Sequence, residues 1–245
     1  HESPAMTSDT TILPTKRLIL FAQDKGGIGK SFVATLLHDF LVERAVRLKA
    51  FDLDHANSTF QRYVPEAEFI DTDVDADKLA VLDQLVIALN EHDVVLADNR
   101  AAGGAKVQQY LEENRLTALQ GEMGFTLVFV VIAVDDKDAV SQIADLLDLY
   151  GEAVRWLVVR NLRDGAEPSV FMASKTRQRL LALGAVEIAV PGLAEVTRNR
   201  LQLANLTVGR GRTAPELHLL DRSRCVRFHE RMAEEFAKAG ALILP

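Results

Sequence analysis

Apolar residues along the chain follow two patterns, and the first consists of short, almost continuously apolar segments. This pattern is typical of strands that are buried on both faces of a parallel sheet. Such strands are predicted at residues 18–22, 46–53, 93–98, 125–134, 154–160 and 186–191, with a shorter one at 68–71.

The second pattern consists of longer segments with apolar residues at helical spacing, and these segments separate the strands. Helices are predicted at residues 31–44, 76–90, 138–150, 170–183, 193–206 and 221–239, and residues 207–214 are predicted to form a loop. Because strands and helices alternate, the sequence predicts an α/β fold with a doubly wound, mostly parallel sheet and helices on both faces.

Residues 24–31, with the sequence DKGGIGKS, connect the first predicted strand to the first predicted helix. Glycines allow the main chain to approach phosphate oxygens closely, and the start of a helix presents unpaired N–H groups to an anion. Lys30 supplies a cation for the β and γ phosphates, and the Ser31 hydroxyl can ligate Mg²⁺. A glycine-rich turn without a ligand does not explain two lysines and a serine at this spacing. The segment therefore predicts a nucleoside triphosphate site.

Carboxylates lie where two other predicted strands end. Asp52 and Asp54 end the second strand, and Asp98 ends the strand at residues 93–98. Because the carboxyl ends of parallel strands meet at one edge of a sheet, these side chains are expected beside the phosphate loop. The strand ending in Asp98 matches a Walker B strand, whose carboxylate lies near the metal ion. A solvated acidic turn is the alternative interpretation of Asp52 and Asp54.

The phosphate loop departs from the ordinary pattern, because Asp24 stands where the first glycine should be and Lys25 precedes the glycine pair. The pattern K-G-G-x-G-K-[ST] is the deviant Walker A motif, and the sequence therefore resembles the superfamily of ParA, MinD and ArsA type ATPases. The resemblance implies ATP and Mg²⁺ as cofactors and a homodimer that forms when ATP is bound. It implies that Lys25 reaches the phosphates of the partner subunit and that Lys30 holds those of its own. It also implies that Asp54 orients the attacking water.

The same resemblance extends the predicted site beyond the loop. Asn161 is expected to read the adenine edge, although a strand-ending asparagine is also a common turn residue. Pro191 is expected to pack against the base, although proline also ends strands for structural reasons. The predicted nucleotide contacts are Gly26, Gly27, Ile28, Gly29, Lys30, Ser31, Phe32, Asn161 and Pro191, and the predicted metal site is Ser31, Asp52 and Asp98.

Two short segments are similar to a narrower group, the conjugal-transfer ATPases related to TraL. Residues 57–60, NSTF, are similar to the N-A-T-F that follows the aspartate motif in that group. The pair Asp98-Asn99 again resembles it, whereas residues 99–104 depart from the usual continuation in the wider superfamily. This resemblance implies a role in plasmid maintenance or conjugal transfer.

Length and composition bound the domain organisation and the location. With 245 residues, 48% of them hydrophobic, the chain can bury a substantial core, and residues 16–245 are predicted to form a single ATPase domain. Residues 1–15 are predicted to be a flexible arm that includes an expression-vector remnant before Met6. The single cysteine, Cys225, is incompatible with an intrachain disulfide, and no apolar run is long enough to span a membrane. A cytoplasmic location is expected.

Charge limits the partners that the chain can have. The net charge of -7 disfavours a nucleic-acid binder that uses its whole surface, but residues 210–231 are locally basic. Their six arginines allow nonspecific DNA binding, a solvated helix face or a protein-binding face. These arginines are Arg210, Arg212, Arg222, Arg224, Arg227 and Arg231. The tail at residues 236–245 is apolar but has one cation and no two-faced pattern, so membrane association is not favoured.

The sequence thus predicts a ParA/MinD-type ATPase that uses an ATP-dependent dimer to position or recruit a cargo. Hydrolysis is expected to be slow, because an aspartate with a pKa of about 4 is a weak base for water. A protein cargo or activator is expected as a partner. The alternative function is a nucleotide-dependent adaptor that recruits a protein partner without binding DNA.

Overall fold

A parallel sheet organises the computed structural model, which describes residues 15–54, 59–99 and 104–245. The strands are β1 (Lys16–Phe21), β2 (Leu48–Asp52), β3 (Glu68–Phe69), β4 (Val94–Asp98), β5 (Phe125–Ala133), β6 (Arg155–Leu162) and β7 (Val186–Pro191). They form one 7-stranded sheet in the order β3-β2-β4-β1-β5-β6-β7, and each pairing is parallel. The predicted fold class is confirmed.

Helices cover both faces of this sheet. They are α1 (Lys30–Glu43), α2 (Thr59–Tyr63), α3 (Asp83–Ile87), α4 (Gly104–Glu113), α5 (Leu116–Met123), α6 (Lys137–Tyr150), α7 (Ser169–Met172), α8 (Lys175–Ala182), α9 (Glu195–Leu203), α10 (Val208–Gly211), α11 (Leu219–Lys238) and α12 (Gly240–Ile243), with 3₁₀ segments at Ala76–Leu82, Ala88–Asn90 and Gly151–Ala153. In β1, Ile19 and Phe21 face a core under α1 and α11, whereas Leu18 and Leu20 face a core under α3 to α8. This alternation explains why β1 is apolar at nearly every position.

Three predicted segments differ from the structure. The helix predicted at 76–90 is mainly 3₁₀, and its spacing of three residues between Leu79, Leu82 and Leu85 suits a helix with three residues per turn. The helix predicted at 170–183 is divided into α7 and α8, because the Ser174 side chain accepts a hydrogen bond from the Arg177 N–H and caps a new helix. The predicted loop at 207–214 contains α10.

Helices α4 and α5 were missed altogether, as were the short helices α2 and α12. Gly121 lies inside α5 instead of interrupting the chain, and α5 ends at Gly124, whose φ of 69° is left-handed. Helix α4 precedes it and buries Val107, Tyr110 and Leu111 on one face. A glycine can be accommodated within a helix, so the two glycines near 121–124 could not be told apart by type alone.

The two edges of the sheet are short or covered. The edge strand β3 has only 2 residues. On the opposite edge, the Ala189 N–H of β7 donates a hydrogen bond to the Glu235 carboxylate of α11 at 2.8 Å. Glu235 also accepts a hydrogen bond from Lys238 at 2.6 Å. These features limit the unpaired main-chain groups that another strand could meet.

The C-terminal tail packs onto the protein. Arg17 in β1 is buried, and its guanidinium donates hydrogen bonds to the main-chain oxygens of Leu242 at 3.0 Å and Ala241 at 3.3 Å. Phe236 and Ile243 are fully buried. The apolar residues of the tail therefore serve the core.

Candidate functional site

The loop between β1 and α1 lies where the order of strands reverses, because β1 is paired with both β4 and β5. In open parallel sheets, ligands bind in the crevice at the carboxyl ends of strands at this position. Gly27 and Gly29 in this loop have left-handed φ values of 73° and 101°. A Cβ atom on Gly29 would lie 2.8 Å from the Asn161 amide nitrogen, so position 29 has no room for a side chain.

Polar side chains before the loop fix its position. Gln23 is buried, and its side chain exchanges hydrogen bonds with Ile132 of β5, accepting from the N–H at 2.5 Å and donating to the carbonyl at 3.2 Å. The Asp24 carboxylate accepts a hydrogen bond from the Gly104 N–H at the start of α4. Sequence reasoning missed both contacts, because their partners are distant in the chain.

Lys30 begins α1 and is largely buried at the centre of the site. Its amine donates a hydrogen bond to the Lys25 carbonyl at 2.6 Å. Burial lowers the pKa of Lys30, and the carboxylates of Asp98, Asp24 and Asp54 oppose this shift. Lys30 thus places a positive charge among three carboxylates at the start of the helix.

A cleft of about 310 Å³ opens over this loop, and we call it the phosphate cleft. It is lined by Gly26, Gly27, Gly29, Lys30, Ser31, Phe32, Asp54, Thr59 and Asn99. The fold therefore brings the loop and Asp54 together, as the strand ends predict. Asn99 was not among the predicted site residues. Its side chain is buried, and the side-chain amide oxygen has no hydrogen-bond partner among the described residues.

Asp98 ends β4 and is buried beside this cleft. Its pKa is raised to about 7, chiefly by burial and also by nearby Asp52, while Ser31 and Lys30 oppose the shift. Ser31 lies close enough to affect the pKa, but neither carboxylate oxygen of Asp98 has a well-formed hydrogen bond among the described residues. A buried carboxylate without a partner is unusual, and a bound cation would compensate it.

Asp52 is fully buried and has hydrogen bonds to both carboxylate oxygens. It accepts from the Asp54 N–H at 2.9 Å and from the Gln61 N–H at 2.8 Å. Burial is the main cause of its raised pKa. Asp52 therefore holds the segment that carries Asp54 and the start of α2, and its role toward a metal stays a prediction.

The residues around the phosphate cleft suit Mg²⁺ better than they suit a metal ion whose ligands are all protein side chains. Within the described ranges, no three His, Cys, Asp or Glu side chains are arranged to hold an ion. Mg²⁺ commonly binds one or two protein oxygens together with water and substrate phosphates. Ser31 and Asp98 offer such oxygens beside the phosphate cleft, the first as a hydroxyl and the second as a carboxylate without a partner.

Lys25 lies outside the phosphate cleft, at the start of α6. Its side-chain amine is 3.1 Å from a carboxylate oxygen of Asp138 and 3.4 Å from one of Asp136. Its main-chain N–H donates a hydrogen bond to the side-chain oxygen of Gln142 at 2.9 Å. The hydrogen bond to Asp138 is the main cause of its raised pKa. The side chains of Lys25 and Lys30 thus lie in different places, and of the two only Lys30 lines the phosphate cleft.

Asn161 is the next-to-last residue of strand β6 instead of following the strand, and its side-chain amide supports the phosphate loop. Its nitrogen donates to the Ile28 carbonyl at 2.9 Å, and its oxygen accepts from the Arg163 N–H at 3.1 Å. Arg163 in turn donates to the Gly27 carbonyl at 2.9 Å. Pro191 ends the neighbouring strand β7 in register with Leu162, and it does not line the phosphate cleft.

The basic segment is partly neutralised by ion pairs within the chain. Arg210 binds Glu66 at 2.8 Å, Arg212 binds Glu43, and Arg224 binds Asp221 at 3.0 Å. The remaining three arginines, Arg222, Arg227 and Arg231, lie on α11. The positive charge that these six arginines can offer to DNA phosphates is therefore reduced.

Of the segment predicted to be similar to TraL, residues 57 and 58 lie outside the described residues, and residues 59 and 60 begin α2. Residues 100–103 also lie outside the described residues. In the described part of the chain, no helix is both long enough and apolar enough to cross a bilayer.

A glycine loop between a buried strand and a helix, a buried lysine at the helix start and a carboxylate at a neighbouring strand end define a P-loop protein of the deviant Walker A type. The chain belongs to the family ATPase MipZ, whose profile matches residues 17–148. It is a ParA/MinD-superfamily protein related to TraL, as the loop and the strand ends predict.

The chain is also similar to individual proteins in sequence or in fold. The chain is 26% identical over 241 residues to Protein TraL of Escherichia coli, covering 92% of this chain and 99% of that protein. The MinD cell division protein of Aquifex aeolicus has a TM-score of 0.51 at 11% identity, covering 90% of this chain and 98% of that one. The MinC:MinD cell division protein complex of the same organism gives 0.50 at 12% identity, covering 90% and 96%. At these identities the two structures show a shared fold.

Proposed function

We propose that this protein binds ATP with Mg²⁺ and hydrolyses it slowly to ADP and phosphate. The observation that carries the proposal is the phosphate cleft, where the glycine loop, buried Lys30 and Asp54 converge. A triphosphate is strongly anionic, and the loop amides, the helix start and Lys30 provide positive potential for it. The family ATPase MipZ supports the choice of ATP.

The hydrolysis step is carried by positioning and electrostatics. Asp54 accepts a hydrogen bond from a water molecule and directs the water oxygen at the γ-phosphorus. A bond forms between that oxygen and phosphorus, the bond from phosphorus to the β,γ-bridging oxygen breaks to leave ADP, and the proton of the water passes to the released phosphate. Lys30 and the loop N–H groups stabilise the charge that develops on the phosphate oxygens. Mg²⁺, when held by Ser31 and Asp98, supplies further positive charge to these oxygens.

Slow turnover follows from the side chains that line the cleft. Asp54 is the one carboxylate among the described residues that line the cleft, so no second carboxylate there assists it as a base. A slow ATPase suits a switch, because the ATP-bound state persists long enough to engage a partner.

We further propose that ATP binding drives homodimer formation and that the cycle positions or recruits a cargo in plasmid maintenance or conjugal transfer. The relationship to Protein TraL of Escherichia coli supports this setting. An adaptor that recruits a protein partner without binding DNA is the second candidate. The three arginines engaged by Glu66, Glu43 and Asp221 favour it, because paired arginines contribute less to phosphate binding.

The test is ATP binding and phosphate release in two cleft variants. Lys30→Ala should abolish detectable ATP binding in calorimetry with Mg²⁺, because it removes the buried cation. Asp54→Ala should retain ATP and lower phosphate release by about 100-fold, as removal of a transition-state contact does. Lys78→Ala and Asp148→Ala, at surface ion pairs, serve as matched controls. Undiminished phosphate release from Asp54→Ala would show that another residue directs the water.

A further inference from the structure

Asn99 is the first residue after β4, and the sheet fixes its position. Asp98 is in register with Asp52 of β2, and the Leu53 N–H donates a hydrogen bond to the Asp98 carbonyl at 2.9 Å. The two chains therefore leave the sheet side by side, one toward Asp54 and the other toward Asn99. Both of these residues line the phosphate cleft.

The amide oxygen of Asn99 is a buried acceptor without a partner. The residue is 4% exposed, and this oxygen accepts no hydrogen bond from any described residue. Burial of an amide oxygen without a hydrogen bond destabilises a fold, and such atoms are rare in native proteins. This is the arrangement expected of a group whose hydrogen bond is made with a bound molecule.

Two spaces adjoin Asn99, and they differ greatly in size. On one side, a crevice of about 10 Å³ is lined mainly by apolar residues such as Leu20, Phe21 and Val107. This volume is at the lower limit for a single water molecule. On the other side is the phosphate cleft, of about 310 Å³. The cleft therefore has the room for a hydrogen-bond partner of the Asn99 amide oxygen.

The crevice beside Asn99 is also held from the side of the phosphate loop. Gly104 begins α4 and lines the crevice, and its N–H donates a hydrogen bond to the Asp24 carboxylate. A Cβ atom at position 104 would lie 2.9 Å from the carboxylate carbon of Asp24, so a side chain does not fit there. The surroundings of Asn99 are thus fixed by the loop as well as by the sheet.

We propose that Asn99 is a second residue that orients the attacking water, an inference that rests on the proposed function. Asp54 accepts a hydrogen bond from one O–H of this water, and the Asn99 amide oxygen accepts a hydrogen bond from the other. With both O–H bonds directed at the protein, a lone pair of the water oxygen faces the γ-phosphorus.

The bond changes remain those of the proposed hydrolysis. The water oxygen bonds to phosphorus, the bond to the bridging oxygen breaks, and the proton of the water passes to the released phosphate. An amide oxygen does not take up this proton near neutral pH, so Asn99 contributes orientation and no basicity.

The experiment measures ATP affinity by calorimetry and single-turnover phosphate release at saturating ATP with Mg²⁺. Asn99→Ala should lower the rate about tenfold, the effect of one lost hydrogen bond, and leave ATP affinity unchanged. Asn99→Leu, which keeps a similar side-chain volume without the acceptor, should have the same effect. The matched control is Asn114→Ala, because the Asn114 amide bonds the Tyr110 carbonyl at 2.9 Å and does not line the cleft. Denaturant unfolding without nucleotide checks the fold of each variant.

A double variant distinguishes orientation of the water from a structural effect. If Asp54 and Asn99 hold the same water molecule, loss of the second contact matters little once the first is gone. Asp54→Ala combined with Asn99→Ala should therefore release phosphate within about twofold of the rate of Asp54→Ala alone. A structural role of Asn99 would instead lower the rate of the double variant by the full factor of the single change.

Three outcomes overturn the inference and leave the proposed function intact. The first is an unchanged rate in Asn99→Ala or Asn99→Leu, and the second is a loss of ATP affinity with an unchanged rate at saturation. The third is a double variant whose two effects multiply. If the wild type neither binds ATP nor releases phosphate, the proposed function fails together with the inference.

Discussion

Gly29 is the residue on which the shape of the phosphate loop depends most directly. Its φ of 101° is left-handed, and the Asn161 amide nitrogen occupies the place next to its missing side chain. Backbone conformation and close packing thus impose glycine at this position independently of any charge.

We predict that Gly29→Ala abolishes ATP binding and lowers the free energy of unfolding by about 1–3 kcal/mol, because of the strained backbone and the clash with Asn161. Gly184→Ala is the matched control, because Gly184 also has a left-handed φ, 76°, with no atom near its Cβ position. It should cost a similar backbone strain and retain ATP binding. Calorimetry and denaturant unfolding measure the two quantities, and equal ATP affinity in both variants would contradict the prediction.

Residues of the glycine loop could be predicted from sequence because their chemistry depends on neighbours within eight positions. Gln23 could not, since its function is visible only when β5 lies beside it. Asn99 likewise takes its place in the cleft from the packing of β4 against β1. Side chains whose partners are remote in sequence carry no local pattern.

At the scale of the elements, a buried carboxylate on α11 holds helix α9 in place. Helix α9 buries only Thr197 and Leu201. The fully buried carboxylate of Asp221 on α11 accepts from Thr197 at 2.7 Å and from Arg224 at 3.0 Å, and it also binds Arg200 of α9. These bonds, led by the one from Thr197, lower the pKa of Asp221.

We predict that Asp221→Asn lowers the unfolding midpoint at pH 7, because it leaves Arg200 and Arg224 without their carboxylate. A carboxyl with a lowered folded-state pKa stabilises the fold above its unfolded pKa of about 3.9, and this stabilisation disappears as the pH falls through the folded-state value. The difference between wild type and variant should therefore be constant near neutral pH and decrease as the pH falls below about 4. Thermal unfolding from pH 3 to 7 measures it, with Asp164→Asn as control. A difference that is as large at pH 3 as at pH 7 would point to packing instead.

Strands were easier to predict than helices because continuous apolar runs identify buried parallel strands directly. The 3₁₀ segment at Ala76–Leu82 and helix α10 show the limit, since short turns depend on local caps such as the Thr207 side chain, which accepts from the Arg210 N–H. Helical periodicity does not distinguish these short forms from a continuous helix.

For the whole molecule, we predict that Lys25→Ala prevents ATP-dependent dimerisation and leaves the fold and ATP binding intact. Lys25 lies outside its own phosphate cleft and is held at the surface by Asp136 and Asp138. Light scattering in ATP and in ADP measures the change. Lys137→Ala, at the start of the same helix, is the control. An ATP-bound dimer of Lys25→Ala would refute the role of this lysine.

We also predict that any binding to nonspecific duplex DNA is weak. Three of the six arginines are in ion pairs within the chain. With the other three available, the slope of log affinity against log salt should be no steeper than about -2.7. A salt-dependent gel shift measures this slope. A slope of about -5.4 would show that all six arginines reach phosphate.

The edges of the sheet restrict how copies of this protein can associate. Strand β3 is 2 residues long, and the Ala189 N–H on β7 already donates a hydrogen bond to the Glu235 carboxylate. Continuation of the sheet from one molecule into the next, the route that leads to fibrils, is therefore disfavoured at both ends. Self-association is left to side-chain surfaces, where a bound ligand can switch it on and off.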